Sequence, residues 1–232
     1  MVWKVTPLFA EWIATPQNIF FQTGVLGSAA TALELGCGVS GIVSLALAPR
    51  IGRYVATDQD YALKLLRRNI MENASPTPSG KGKGSKSGRN KETATKHPAS
   101  SSTNIEVVPL DWETDSVSSL PALTKPKQVK GAENNAANLD ILVACDCIYN
   151  DALIDPFVNT CAEICGLSST LDPTVCIIAQ QLRAAEVFES WLKAFHRFFR
   201  IWRVPDELLI EGLRGNSGFV VHIGILRQST EG

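Results

Sequence analysis

The sequence of 232 residues lacks the features that mark membrane and secreted proteins. It has no apolar run long enough to span a bilayer, and its first residues, MVWKVTP, have neither the charged nor the apolar region of a signal peptide. Its six cysteines form no C-x-x-C pair, which is typical of reduced thiols rather than of a disulfide framework. We therefore expect a cytoplasmic protein, with the nucleus as a second location, and no membrane partner.

The cysteines also give little support to a metal centre. Cys145 and Cys147 are spaced to share one face of a strand, and Cys161 and Cys165 are one helical turn apart. Both pairs have a spacing that a metal ion accepts, but small buried side chains are the simpler interpretation. We predict no metal site.

An excess of charge of one sign is missing as well, since 22 lysines and arginines balance 23 acidic residues. The charges are unevenly distributed along the chain. Residues 74–103 hold six basic residues and only one acid, Glu92, so the net charge of the rest of the chain is near −6. An acidic body suits a basic macromolecular substrate. The basic segment is rich in Ser, Gly, Lys, Thr and Pro and predicts a disordered insertion, and a second one is predicted at about 114–138.

Residues 34–41, with the sequence ELGCGVSG, are the most informative segment of the chain. They lie between an apolar segment typical of a buried strand and a segment typical of a helix. Glycines at such a turn let the backbone approach a ligand, and the helix N-terminus offers free N–H donors. The pattern satisfies G-x-G-x-x-G, with Asp58 about twenty residues beyond. A dinucleotide site and a turn without a ligand therefore stay open as alternatives.

Glu34 distinguishes between these ligands. A carboxylate at the end of the first strand suits a cofactor with a cationic amino group, such as S-adenosylmethionine, whereas a dinucleotide places an anionic pyrophosphate at this turn. The segment therefore favours S-adenosylmethionine over NAD.

The rest of the chain alternates between strand and helix patterns, without an internal repeat. This order predicts a single α/β domain, an open Rossmann-like sheet of seven mostly parallel strands with one antiparallel strand near the C-terminus and helices on both faces. Strands are predicted near 31–35, 53–57, 105–109, 139–145, 174–180, 199–204 and 218–226, and helices near 6–14, 40–48, 60–72, 151–166 and 183–197.

Polar and aromatic residues follow several of the predicted strands. Asp58 ends the second strand, Asp111-Trp112 follows the third, residues 146–149 (DCIY) end the fourth, and Trp3 precedes the first helix. Taken singly, each has a structural explanation: Asp58 as a helix N-cap, Trp112 as a side chain that covers the core, and Tyr149 as an anchor at a strand end. Because ligands gather at the carboxyl ends of parallel strands, their coincidence at one edge predicts a site.

These residues resemble the seven-β-strand protein-lysine methyltransferases that carry a D-x-x-Y motif after the fourth strand. Residues 34–41 resemble the cofactor loop of that family, 56–59 (ATDQ) its second strand end and 110–113 (LDWE) its adenine-side motif. The segments 69–73 and 146–157, with the long insertion before the third strand, are similar to the fungal ribosomal members. The resemblance implies a class I methyltransferase domain.

The resemblance also implies a set of site residues. S-adenosyl-L-methionine is expected to contact Trp3, Gly36, Cys37, Gly38, Asp58, Trp112 and the backbone of Cys145, with Asp111 near the adenine amino group. Asp146 and Tyr149 are expected to face the acceptor lysine. The family has an N-terminal segment ahead of the residue that matches Trp3, and this chain begins two residues before Trp3, so we expect that segment to be absent.

The implied acceptor is a lysine of a large-subunit ribosomal protein of the L1 type, modified by a monomeric enzyme with no direct nucleic-acid substrate. Only a small fraction of free lysine is neutral at pH 7, and a carboxylate favours the ammonium form. We therefore expect Asp146 to attract and orient the lysine rather than to act as a base, and Tyr149 to offer a π face to it.

Several other functions stay open. The acceptor is alternatively another protein, such as a translation factor. An NAD-dependent oxidoreductase has the same loop, but the sequence contains no Tyr-x-x-x-Lys pair. A non-catalytic scaffold shares the fold. A methyltransferase of RNA or of a small molecule is less well supported, because no Asn-Pro-Pro-Tyr type of motif occurs and the body is acidic.

Overall fold

A computed structural model describes residues 2–74, 103–120, 139–169 and 171–228. Its strands are Thr31–Leu35 (β1), Arg53–Asp58 (β2), Ile105–Pro109 (β3), Ile141–Cys145 (β4), Val175–Gln181 (β5), Phe199–Arg203 (β6) and Phe219–Leu226 (β7). Its α-helices are Val5–Ala14 (α1), Ile19–Gln22 (α2), Ile42–Leu47 (α3), Asp60–Asn73 (α4), Ile154–Gly166 (α5) and Ala185–Phe198 (α6). In this part of the chain, no helix is long and apolar enough to cross a membrane.

The strands form one sheet in the order β3-β2-β1-β4-β5-β7-β6. Strands β1 to β5 are mutually parallel, and β7 is antiparallel to both of its neighbours. The prediction of a mostly parallel, seven-stranded Rossmann-like sheet with one antiparallel strand is confirmed. The connections from β1 and β4 diverge, so the carboxyl ends of these adjacent strands form a topological switch point, where α/β proteins bind ligands.

The central strands are buried on both faces because an apolar layer covers each side of the sheet. Helices α1, α3 and α4 pack on one face, against alternate residues such as Ala32, Tyr54 and Val143. Helices α5 and α6 pack on the opposite face, against residues such as Leu33 and Leu142. Strands β1 and β4 are buried at every position, which is the pattern of a parallel sheet covered on both sides.

The predicted insertions lie mostly outside the described residues, and their disorder stays a prediction. Residues 114–120 of the second one are described. They contain a short 3-10 helix at Val117–Ser119, and Val117 and Leu120 are buried beside α5. Helix α2 was not predicted; it is short, and the Asn18 side chain caps it by accepting a hydrogen bond from the Phe20 amide at 3.0 Å.

Candidate active site

A cavity of about 320 Å³ opens at the carboxyl ends of β1, β2 and β4, a volume within the range of small-molecule sites. Nine of the eleven predicted site residues line it: Trp3, Gly36, Gly38, Asp58, Asp111, Trp112, Cys145, Asp146 and Tyr149. Glu34 and Cys37 are not among the described lining residues. The predicted residues therefore come together at one cavity, apart from the side chains of Glu34 and Cys37.

The loop after β1 passes close to the cavity because Gly36 has no side chain. Its φ of +62° lies in the left-handed region, and a Cβ atom there would stand 2.8 Å from the Cys147 Sγ and 3.1 Å from the Trp112 Cζ2. The loop is also tied to β2, because the Cys37 amide donates to the Thr57 carbonyl at 3.0 Å. Cys37 contributes its backbone here, while its side chain is buried in the core.

Gly36→Ala is expected to destabilise the fold by about 2–4 kcal/mol, because left-handed strain and overpacking add together. Gly38→Ala is the matched control, since Gly38 has a φ of +66° but its added Cβ would meet nothing within 4 Å. We expect only the strain, about 1–2 kcal/mol, in that variant. Urea unfolding followed by tryptophan fluorescence measures both, and equal losses would contradict the packing argument.

Glu34 is buried beneath this loop on the face of the sheet covered by α1 and α3. Its carboxyl group accepts a hydrogen bond from the Tyr54 hydroxyl at 2.8 Å. Burial, opposed by that hydrogen bond and assisted by the Asp58 charge, raises the pKa of Glu34 to about 8. Glu34 therefore lies beneath the loop, outside the described cavity lining, and its burial favours the protonated acid.

Asp58 connects the glycine loop to the start of α4. One carboxylate oxygen accepts a hydrogen bond from the Gly38 amide, and the other accepts one from the Gln59 amide, each at 2.8 Å. A carboxylate has about four lone-pair positions, so two remain for a ligand. Asp58 lines the cavity and is a hydrogen-bond acceptor suited to hydroxyl groups.

Asp111 and Trp112 form the wall after β3. The Asp111 carboxylate accepts hydrogen bonds from the Glu113 amide at 2.9 Å and from Gln59 Nε2 at 2.7 Å, and these contacts lower its pKa. Trp112 packs edge-on against Phe157, with 5.2 Å between the ring centroids. The α5 face of the core therefore fixes an indole beside a carboxylate that stays ionised.

Asp146 lies directly after β4 in a left-handed conformation, with φ of +60°. Its side chain is 1% exposed, and both oxygens accept hydrogen bonds from the Arg183 guanidinium, one of them at 3.0 Å from Nη1. The Gln181 amide donates to the same Oδ1 at 3.1 Å. Asp146 therefore joins the ends of β4 and β5, and its nearest cation is an arginine of the chain itself.

Two aromatic rings stand at the mouth of the cavity above Asp146. Trp3 is 40% and Tyr149 is 59% exposed, and their rings are stacked with centroids 6.3 Å apart. The guanidinium carbon of Arg183 lies 4.7 Å from the centroid of the Trp3 ring. The rim made by Trp3, Tyr149 and Arg183 thus brings together three parts of the chain that are far apart in sequence.

The cysteines of the site are not poised as nucleophiles. Burial raises the pKa of Cys145 and of Cys147, so both thiols keep their protons. The Cys147 thiol donates to the Leu35 carbonyl at 3.2 Å, and Cys145 Sγ lies 3.7 Å from the Thr6 hydroxyl. All six cysteines are free and buried, as predicted for small apolar side chains.

Sequence reasoning missed several residues of the site. Gln59, Tyr61, Glu113 and Cys147 line the cavity, and each is close in sequence to a residue that was predicted. The most important omission is Arg183, which does not line the cavity but binds Asp146. Its position two residues beyond β5 was the available signal, because polar residues at that edge of a parallel sheet are candidates for a site.

Comparisons with known proteins show which proteins this chain is similar to. No protein-family model matches the chain. It is 31% identical to the ribosomal lysine N-methyltransferase 5 of Zygosaccharomyces rouxii over 83% of its length, 27% identical to that of Vanderwaltozyma polyspora over 90%, and 28% identical to that of Saccharomyces cerevisiae over 91%. It spans 62%, 70% and 68% of the lengths of these relatives.

Solved structures support the fold. The tRNA methyltransferase TrmI from Aquifex aeolicus superimposes with a TM-score of 0.54 over 99% of this chain and 71% of its own, at 11% identity. The mitomycin 7-O-methyltransferase MmcR gives 0.52 over 97% of this chain and 54% of its own, at 14% identity. The chain is therefore a relative of the ribosomal lysine N-methyltransferase 5 proteins and has the Rossmann-like fold of class I methyltransferases.

Proposed function

We propose that this protein is an S-adenosylmethionine-dependent protein-lysine N-methyltransferase whose acceptor is a large-subunit ribosomal protein of the L1 type. One observation carries the proposal. The cavity joins a glycine loop flanked by carboxylates to an aromatic mouth that contains Asp146 and Tyr149. The names of the relatives agree with a lysine of a ribosomal protein as the acceptor.

The residues present fit S-adenosylmethionine. Trp112 offers a flat apolar surface and Asp111 an ionised acceptor, which suit an adenine ring with an exocyclic amino group. The unused lone pairs of Asp58 suit ribose hydroxyls. Gly36 lets the ligand approach the backbone. No lysine or arginine occurs among the described lining residues, which suits a cationic cofactor better than a dinucleotide pyrophosphate.

In methyl transfer the cofactor carries the reactive group, so the protein mainly binds and orients the reactants. When bound, the cofactor supplies a methyl group on a positively charged sulfur, which passes to a neutral amine and leaves a neutral thioether. The chain must admit a lysine side chain, let its proton leave and aim its lone pair. Trp3 and Tyr149 at the exposed mouth line the entry, and their π faces attract the incoming ammonium group.

The proton of the acceptor is released to water at the open mouth, because the nearby groups are poor bases. Cys145 and Cys147 stay protonated, and the oxygens of Asp146 already accept hydrogen bonds from Arg183 and Gln181. Among the described residues the phenol of Tyr149 has no hydrogen-bond partner, so its oxygen can accept a hydrogen bond from the neutral amine and leave the amine lone pair available. An acidic body with a charge near −6 outside residues 74–103 attracts a basic protein. We place this reaction in the cytoplasm, where reduced thiols are expected.

The experiment incubates the full chain with methyl-labelled S-adenosylmethionine and large ribosomal subunits that carry unmodified proteins. We expect label on a lysine of one protein of the size of L1, identified by mass spectrometry of its peptides, and strongly reduced label with Asp146→Ala. Label on ribosomal RNA instead would refute the protein acceptor, and label on another protein would refute the L1 assignment. If calorimetry detects cofactor binding but no subunit component is labelled, the ribosomal substrate is wrong.

A further inference from the structure

Asp146, the carboxylate expected to face the acceptor lysine, already has a partner. Arg183 engages both of its oxygens in a bidentate pair, and the Gln181 amide adds a third hydrogen bond. The Asp146 side chain is 1% exposed, whereas that of Arg183 is 31% exposed. A lysine that enters the mouth therefore meets an ion pair rather than a free carboxylate.

This pairing addresses a chemical problem of lysine methylation. The acceptor must lose a proton before its lone pair can attack, yet free lysine has a pKa of about 10.4. An unpaired carboxylate beside the amine would raise that pKa further, because it stabilises the ammonium form. A guanidinium at the same place offsets the negative charge of the carboxylate and therefore favours the neutral form of the amine.

We propose that Arg183 is a positioning residue for methyl transfer, which neutralises Asp146 beside the acceptor amine and fixes the aromatic mouth. This proposal rests on the proposed lysine methyltransferase function. Arg183 acts through Asp146 and Trp3 rather than on the reacting atoms. Its planar fork matches the carboxylate, and its face lies over the Trp3 indole, two contacts that lysine does not reproduce together.

Arg183 also helps to hold the left-handed backbone conformation of Asp146. A left-handed conformation is costly for a residue other than glycine, although aspartate tolerates it better than most, and it persists only where the surroundings hold it. The Arg183 fork and the Gln181 amide supply that hold. The Asp146 amide also donates to the Ala179 carbonyl at 2.8 Å, so the ion pair acts together with the backbone to set the direction of the chain that leads to Tyr149.

The other charged groups near the mouth cannot replace Arg183. Asp58, Asp111 and Glu113 add negative charge from the ends of β2 and β3. Cys145 and Cys147 on β4 remain neutral, and Glu34 lies beneath β1 with its pKa raised to about 8. Tyr61 and Tyr149 are the remaining titratable side chains among the described lining residues. Among the described residues, the cation in contact with both Asp146 and Trp3 is Arg183.

The test is the pH dependence of kcat at saturating cofactor and acceptor, because that profile reports groups in the bound complex. For Arg183→Gln we expect the midpoint of the rising limb to move up by about one pH unit, which makes kcat at pH 7 roughly tenfold lower. Arg183→Lys keeps the charge, so its midpoint should stay near that of the wild type although kcat falls. The double variant Arg183→Gln, Asp146→Asn should return the midpoint toward the wild-type value.

Arg197→Gln is the matched control, since Arg197 forms a surface pair with Asp155 at 2.5 Å and lies outside the cavity lining. We expect an unchanged profile for it. A uniform loss of kcat in Arg183→Gln without a shift of the midpoint would overturn the proposal and leave Arg183 a structural residue. If the wild-type chain transfers no methyl group to any protein, the proposed function fails instead, and this proposal fails with it.

Discussion

Asp146→Ala is expected to lower methyl transfer at least about 100-fold, while the Kd for S-adenosylmethionine changes by less than about threefold. Alanine removes the partner of Arg183 and leaves an uncompensated guanidinium where the lysine ammonium must approach. It also places a residue that disfavours φ of +60° at the end of β4. A loss of about 2.7 kcal/mol in transition-state stabilisation corresponds to this factor.

The cofactor contacts are expected to survive because they come from other elements. Gly36, Asp58 and Trp112 make no hydrogen bond with Asp146 in the described structure. Single-turnover transfer measures the chemical step and calorimetry measures cofactor affinity. Asp146→Asn is the graded comparison, since asparagine tolerates the left-handed backbone and keeps one acceptor oxygen. The rate of methyl transfer by Asp146→Asn should be roughly tenfold below that of the wild type. A parallel loss of cofactor affinity in both variants would move Asp146 from the acceptor end of the cavity to its cofactor end.

The fold was predictable because its strands have simple patterns. Strands β1 and β4 are short apolar runs between turn signals, and helix patterns separate the parallel strands, so the chain order determined the architecture. The rule that ligands bind at carboxyl strand ends then located Asp58, Asp111 and Asp146 at one cavity. These predictions needed only local sequence and the geometry of a parallel sheet.

The contacts of individual side chains were less predictable. Arg183 lies 37 residues from Asp146 in sequence. Its position just after β5 makes it a candidate for the site, but it also lies just before helix α6, and the sequence does not show which residue it contacts. Glu34 was chosen for its charge, but the alternation of β1 directs it, like Ala32, toward the face covered by α1 and α3. Chemical complementarity therefore identified a plausible residue, while the pleat of the strand determined what that residue contacts.

Glu34 is also expected to make the stability of the fold depend on pH in an unusual direction. In the folded chain its pKa is raised to about 8, mainly by burial, whereas its ordinary value is 4.5. Between these values the folded state holds a proton that the unfolded state has released, so the free energy of unfolding falls as pH rises. Below about 4.5 the stabilisation is fully present, and above about 8 no further loss follows from this residue.

Glu34→Gln isolates this effect, since glutamine has nearly the same shape and no charge at any pH, and its amide oxygen can accept from Tyr54. The wild-type minus variant difference in unfolding free energy should fall from pH 5 to pH 8 by up to about 1.4 kcal/mol per pH unit and then level off. Urea unfolding at pH 5, 6.5, 8 and 9 measures this difference.

Glu189→Gln is the control, because Glu189 is exposed and pairs with Lys193 on the surface of α6. The wild-type minus Glu189→Gln difference in unfolding free energy should therefore stay nearly constant over this pH range. Parallel curves for wild type and Glu34→Gln would mean that Glu34 is ionised in the folded chain, and its carboxylate would then again be a candidate for binding the cationic amino group of the cofactor.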